Sequence, residues 1–371
     1  MSNIKSPYRY DHVGSFLRPE ELKQARKDFK AGKVSREELT AIEDKAITAL
    51  VEKQKKAGFH IITDGEYRRE FWHLDFMWGF EGVAHENTGS GVQFSGELAA
   101  LDDTYLVGKI KAASHPFVEY FKFLKRFEDE QTVAKYTIPA PAQTFQQMIV
   151  PQNIEQTRKF YSTNEELIQD IGAAYQAVIK QFYEAGCRDL QLDDCTWGAV
   201  VGDAAKQRYE SLGIDIEDVK KQLLEVNNLA LANKPADMVI TSHICRGNYH
   251  STYFTSGPYD SVADYVFAHE NVDALLLEYD DERSGGFEPL AKVSPDKKVV
   301  LGLITSKTPE LEDKQAVIAR IHEAAKYIPL ERLCLSPQCG FASCEIGNKL
   351  TEEEQWAKLA LVKEIAEEVW G

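Results

Sequence analysis

The chain is poor in cysteine, has no excess of positive charge and contains no long apolar run, and each shortage removes a class of function. Six cysteines in 371 residues, at positions 187, 195, 245, 334, 339 and 344, are too few and too scattered for the disulfide framework of a small secreted domain. Reduced thiols in a cytoplasmic setting fit them better, as core filler, metal ligands or nucleophiles. Lys and Arg number 43 against 59 Asp and Glu, a net charge of −16, so no basic stripe is available to neutralise nucleic-acid phosphates or an anionic membrane. No apolar segment reaches the length of a bilayer span, and the opening MSNIKSPYRYDHVGS lacks the layout of a signal peptide. Proline- or serine-rich linkers, tandem repeats and low-complexity tails are also missing, which predicts one domain over residues 1–371. A homo-oligomer is compatible with all of this.

What is present is core material, 43% hydrophobic residues with 18 Phe and 16 Tyr, arranged in a repeating pattern. Eight short apolar, β-branched segments read as buried strands: 10–15, 59–64, 135–140, 189–193, 238–244, 274–279, 298–305 and 332–336. Helical periodicity fills most of the gaps, over 19–31, 35–57, 164–185, 216–232, 261–270, 309–327 and 351–369. Gly58 and Gly186 suit helix C-caps, Thr351 with Glu354 suits a capping box, and Pro309 suits a first helical turn. Strand alternating with helix eight times predicts an α/β fold, a single (β/α)8 TIM barrel. The stretch from about 74 to 130 is too long for a simple crossover. Its patches at 92–101 and 105–113 alternate like a β-hairpin, predicting a hairpin and helical insertion between strands two and three.

Barrels of this kind gather reactive groups at the C-terminal ends of their strands. Polar residues do cluster there: Gly14 and Ser15 after strand one, Asp64, Glu66 and Arg68/Arg69 after strand two, Gln143 and Phe145 after strand three. Asp193, Asp194 and Trp197 end strand four, His243 and Cys245 strand five, Glu278 and Asp280 strand six. Thr305 and Lys307 end strand seven, and Gln338 and Cys339 follow strand eight. His243 and Cys245, two apart on a strand, face the same way and can share one metal. With Glu278 and Cys339 they make a set of one imidazole, two thiolates and one carboxylate, which suits Zn²⁺ better than Mg²⁺ or Ca²⁺. Singly, each is as readily a structural His or a core Cys; the joint pattern is what points to a metal. Cys334 and Cys187 read as structural, and Cys344 rivals Cys339, which is preferred because Gly340 lets the chain turn beside the metal.

Glu66 and Asp193 would border the metal cavity and suit an ammonium group, while main-chain groups at Val13–Ser15 suit a small carboxylate. Together they describe a pocket for a zwitterionic amino acid. Arg68 and Arg69 read equally well as a solvated loop with local ion pairs. A metal shell of formal charge −3 is a poor Lewis acid for hydrolysis but deprotonates a bound thiol, which favours alkyl transfer to sulfur.

The motifs SHIC, LLLEYD, LSPQCGF, HVGSF, DGEYRREF and LQLDD together resemble those of the catalytic barrel of cobalamin-independent methionine synthase, from about residue 11 to the C-terminus. The resemblance implies a zinc set of His243, Cys245, Glu278 and Cys339, and a homocysteine site of Val13, Gly14, Ser15, Glu66 and Asp193. It further implies methyl transfer from a reduced folate to homocysteine without cobalamin. The chain departs from that family on the donor side. GLITSKTP places Lys307 where a proton-donating His is expected and Thr305 where an Asp is expected, Phe145 stands in for a pterin-stacking Trp, and LDDC brings Asp194 and Cys195. The leading expectation is a zinc-dependent homocysteine methyltransferase. The alternatives are alkylation of another thiol or use of a non-folate donor, and a non-catalytic folate or amino-acid binder with a structural zinc.

Overall fold

A computed structural model describes residues 5–87 and 91–371. Its strands, in chain order, are β1 (Ile61–Ile62), β2 (Glu81–Glu86), β3 (Gly91–Gln93), β4 (Leu98–Ala100), β5 (Asp103–Lys111), β6 (Val133–Pro139), β7 (Asp189–Asp194), β8 (Val239–Ile244), β9 (Ala274–Glu278), β10 (Lys298–Ile304) and β11 (Leu333–Pro337). Seven of them form one sheet in the order β1-β6-β7-β8-β9-β10-β11, every pair parallel. β7, β9 and β11 are buried along their whole length, as expected of a parallel sheet covered by helices. The fold is α/β, with a curled parallel sheet of the TIM-barrel kind.

The expected first strand, 10–15, is stitched in by isolated contacts and forms no continuous ladder. Tyr10 bridges Leu335 at one edge and Ser15 bridges Gly65 at the other, both parallel. Asp11 donates to the Leu335 carbonyl at 2.9 Å and Phe16 to that of Gly65 at 3.1 Å. Regular pairing stops between them because Gly14 sits at φ 135°, outside the β region. β1 is similarly short, and a side chain extends its work. Gln54, on the helix Arg36–Lys56, donates to the Thr63 carbonyl at 2.8 Å and accepts from its N–H at 3.0 Å. That amide clamp fixes the strand end from which Asp64 and Glu66 emerge.

The helix Arg36–Lys56 buries Leu39, Ile47, Leu50 and Val51 and opens on a capping box between Ser35 and Glu38. The helix Glu352–Trp370 opens on the expected capping box of Thr351 and Glu354. Two helical expectations need correction. Residues 261–270 break into two turns, Asp260–Ala263 and Val266–His269. Pro309 lies in no first turn: the helix there is Lys314–Ala324, capped by Asp313. Upstream of it, Glu312 folds back to accept from Thr305 N–H at 2.8 Å and from Lys358 Nζ, so 305–312 is held as a loop.

Between β1 and β6 the two alternating patches do not pair with each other. β3 pairs with β4, and β5 pairs with β2, both antiparallel. The helix Pro116–Lys125 then packs against β6, as a crossover helix does.

Candidate metal centre

The strand register delivers the four proposed ligands to one place. Asp193 pairs with His243, His243 with Leu276, and Glu278 with Gly302, so the ends of β7 to β10 are level. Gly302 is a glycine for a reason: a Cβ there would lie 2.6 Å from Gln338 Cα and 2.8 Å from the Leu277 carbonyl. One ligand atom each from His243, Cys245, Glu278 and Cys339 lies within 4.8 Å of all the others, and all four residues are buried. The two Sγ atoms are 3.8 Å apart. A tetrahedral ion with Zn–S bonds of ~2.3 Å requires a sulfur–sulfur edge of ~3.8 Å, so the spacing suits zinc. His243 is 1% exposed, and neither ring nitrogen has a hydrogen-bond partner among the described residues. A buried imidazole with both nitrogens idle is costly unless something binds there, and a cation answers that need. Cys339, not Cys344, joins the group.

Hydrogen bonding to Cys195, together with burial, pushes Cys245 well up, and contact with Cys245 does the same to Cys339. Burial works against charge on Glu278, but Lys307, Arg283 and His243 outweigh it and hold the carboxyl below its usual range. Both Glu278 oxygens are engaged: Oε1 accepts from the Arg246 N–H at 2.7 Å and Oε2 from Arg283 Nη2 at 2.8 Å. Lys307 stands apart from the expected proton-donor role. It is not on the wall of the adjoining cavity, its Nζ makes no hydrogen bond among the described residues, and its charge acts on Glu278 and Asp280.

That cavity, of about 70 Å³, is lined by Val13, Ser15, Glu66 and Asp193 together with His243, Cys245 and Cys339. Glu66 sits at φ 61° and is held by the Thr137 hydroxyl at 2.8 Å and Arg69 Nη1 at 3.3 Å, which leaves its Oε2 buried and unpartnered. Asp193 Oδ1 accepts from Gln191 Nε2 at 2.7 Å. Burial, and then the charge of Glu66, pushes Asp193 well above the usual carboxylate range. Two carboxyls against one guanidinium leave room for a cation. Gly14 lies behind this wall, its carbonyl accepting from Thr63 Oγ1 at 2.6 Å. Ser15 Oγ faces Gly340, where a Cβ would come within 1.9 Å of it.

Arg68 and Arg69 belong to no solvated loop. Arg68 pairs with Glu43 at 3.1 Å, both side chains nearly inaccessible, and Arg69 lies between the rings of Phe117 and Tyr136. Phe145 is also displaced from expectation. It is fully buried in the hydrophobic core on the helix Pro141–Ile149 and is not on the cavity wall. The aromatic lining of the cavity comes from Trp72, His73, Phe94 and Tyr249, none of which sequence reasoning selected. Trp72 and His73 stack at 4.5 Å, and His73 Nδ1 is buried without a partner among the described residues. Cys195, the departure in LDDC, also reaches this cavity. Only DGEYRREF, which runs into Trp72 and His73, could have signalled that wall.

The family model described as the catalytic domain of cobalamin-independent synthase matches residues 11–368. Bacillus subtilis YxjH, an uncharacterised protein, is 45% identical over 367 residues, covering 99% of this chain and 96% of its own. The methionine synthase of Saccharolobus solfataricus is 26% identical over 333 residues, covering 88% and 86%. Among solved structures, a Listeria monocytogenes protein described as a candidate vitamin-B12 independent methionine synthase covers both chains fully, with 38% identity and a TM-score of 0.78. A Shewanella B12-independent methionine synthase in complex with selenomethionine shares the fold, at 19% identity, TM-score 0.72 and 97% coverage of each chain. With the family model spanning nearly its whole length, the chain belongs to the cobalamin-independent methionine synthase family of methyltransferases, as a catalytic domain.

Proposed function

We propose that this protein is a zinc-dependent methyltransferase that moves a methyl group from a 5-methyltetrahydrofolate-type donor to the thiol of homocysteine, giving methionine. The observation that carries the reading is that a sulfur-rich ligand set and a pair of buried carboxyls share one cavity. Held by His243, Cys245, Glu278 and Cys339, Zn²⁺ would supply a thiolate at neutral pH from a thiol that is otherwise a few per cent ionised. Glu66 and Asp193 receive the ammonium group, and the main chain at Val13, Gly14 and Ser15 with the Ser15 hydroxyl receives the carboxylate. Fixing both ends of the amino acid aims its sulfur along one line, and such orientation contributes up to ~7–11 kcal/mol in ideal cases. The same reading takes residues 1–371 as one (β/α)8 unit, with its insertion over 74–130, acting on small molecules in the cytoplasm.

A second reading keeps the thiol chemistry and changes a substrate, either the thiol or the donor. The burial of Phe145 and the position of Lys307 favour a non-folate donor. One experiment tests the first reading: metal analysis of the purified protein and of Cys339→Ser, with labelled methyl transfer to homocysteine from a panel of donors. Stoichiometric zinc in the wild type, lost in the variant, and labelled methionine are expected. Full zinc retention by Cys339→Ser would overturn the ligand set, and no methionine from any donor would overturn the acceptor.

A further inference from the structure

Glu278 is the one oxygen ligand of the proposed set and the weakest candidate to stay bound, because a free carboxylate can turn about its side-chain bonds. Its surroundings answer that difficulty. Arg283 Nη2 donates to Glu278 Oε2 at 2.8 Å and to Asp280 Oδ1 at 2.7 Å, and Nη1 pairs with Asp281. The guanidinium side chain is 6% exposed and the Glu278 carboxylate 0%. The Tyr253 ring covers Arg283, 5.3 Å from its centroid to the guanidinium carbon. A planar fork shared by two fixed carboxylates cannot rotate without breaking a bond at one of them. The other oxygen, Oε1, accepts from the Arg246 N–H, one residue beyond Cys245. The direction of the remaining lone pairs is thereby set from both sides.

We propose that Arg283 is a positioning residue of the metal centre: it orients Glu278 as a ligand and offsets the negative charge of the shell. This rests on the proposed metal site and adds a residue to it. Lys307 provides the contrast. It also acts on Glu278 by charge but makes no hydrogen bond to it, so it offsets the shell without orienting anything. Orientation and charge are therefore separable by substitution. Arg283→Met removes both, Arg283→Lys keeps the charge and loses the fork, and Lys307→Met removes only a charge at longer range.

The readouts are the zinc dissociation constant by competition with a chromophoric chelator, the metal-edge X-ray absorption spectrum, and thermal denaturation of the metal-free protein. Loss of an outer partner of a metal ligand typically costs 10–100-fold in affinity. Arg283→Met is expected in that range with a diminished oxygen contribution at the metal edge, Arg283→Lys between it and the wild type, and Lys307→Met with its oxygen contribution intact. A structural role alone would lower the melting temperature of the metal-free protein and leave affinity and spectrum unchanged, which would overturn the inference. So would an Arg283→Lys variant that folds normally and binds zinc as the wild type does in an unchanged spectrum. A wild type that binds no zinc would instead overturn the metal site on which the inference stands, so the two failures are distinct.

Discussion

Replacing Asp193 with Asn offers the sharpest test of how the substrate is held. The substitution preserves shape and removes one charge from a site whose carboxyls are 4% and 6% exposed, at Glu66 and Asp193 respectively. In the proposed complex the ammonium group of homocysteine donates to both. Hydrogen bonds to charged groups contribute ~1.5–3 kcal/mol each, so losing one charged acceptor predicts a fall of roughly 10–150-fold in kcat/KM for homocysteine. The control is the same thiol without its amino group. For that substrate the wild-type pair gains no ammonium partner beyond Thr137, Arg69 and Gln191, and Asp193→Asn should leave kcat/KM unchanged or raise it.

Protons report the same event. Burial and Glu66 hold the Asp193 carboxyl well above its ordinary range in the free site. An ammonium beside it favours the ionised form, so binding homocysteine drives Asp193 toward losing its proton. Calorimetry in two buffers of different ionisation enthalpy measures the total release; the share from Asp193 should be missing in Asp193→Asn and for the thiol lacking an amino group, leaving only the proton the thiol itself loses at the metal. Equal losses of kcat/KM for both thiols would refute the reasoning, because the carboxylates would then be supporting the fold and not the amino group.

Gly340→Ala places a methyl 1.9 Å from Ser15 Oγ and must displace it; overpacking of ~1–3 kcal/mol and a raised KM for homocysteine are expected, with zinc content unaltered. Trp72→Leu strips the largest ring from the aromatic lining of the cavity, so KM for the methyl donor should rise about tenfold or more while KM for homocysteine stays within about twofold, read by steady-state kinetics with each substrate varied. Glu270 supplies a pH test away from the substrate. Burial, and then Asp194, raise it to about 8, so the folded state holds a proton that the unfolded state releases near 4.5. Its contribution to stability is therefore lost as pH rises between those values, and Glu270→Gln should flatten that part of the stability–pH curve in urea unfolding.

The four residues that gather in the candidate metal centre were legible in the sequence because strand ends carry strong local signals. An apolar β-branched run ending in a polar residue locates a strand's C-terminus within a residue or two, and period-2 geometry says which neighbours share a face. His243 and Cys245 are the direct example, and the level register from β7 to β10 completed the set. The strand at 10–15 was legible as a position but not as a ladder, since Gly14 departs from β geometry in a way that composition does not reveal. Pro309 misled because an N1 proline and a loop proline look alike locally; the loop is held by Glu312 and Lys358, a contact across 46 residues. Phe145 misled for a related reason. Apolar spacing on a short helix says that one face is buried, not whether that face meets the core or a cavity.

The division between legible and illegible parts follows the architecture of the cavity itself. Its thiol side is built from strand ends whose positions are locked by parallel ladders, so a change there disturbs the sheet as well as the site. Its aromatic lining comes from the segments after β1 and β8 and from the β3–β4 ribbon, whose Phe94 packs on Tyr249 and Phe254 and whose Glu97 bonds His250 and Lys349. None of those contacts enters the seven-stranded ladder. On the proposed reading, changes in the ribbon would reach the methyl donor before they reach the ligands. Moving the β3–β4 ribbon, by Glu97→Gln, should then alter donor kinetics and leave the zinc dissociation constant where it was. A parallel change in both would mean that the two walls are mechanically one.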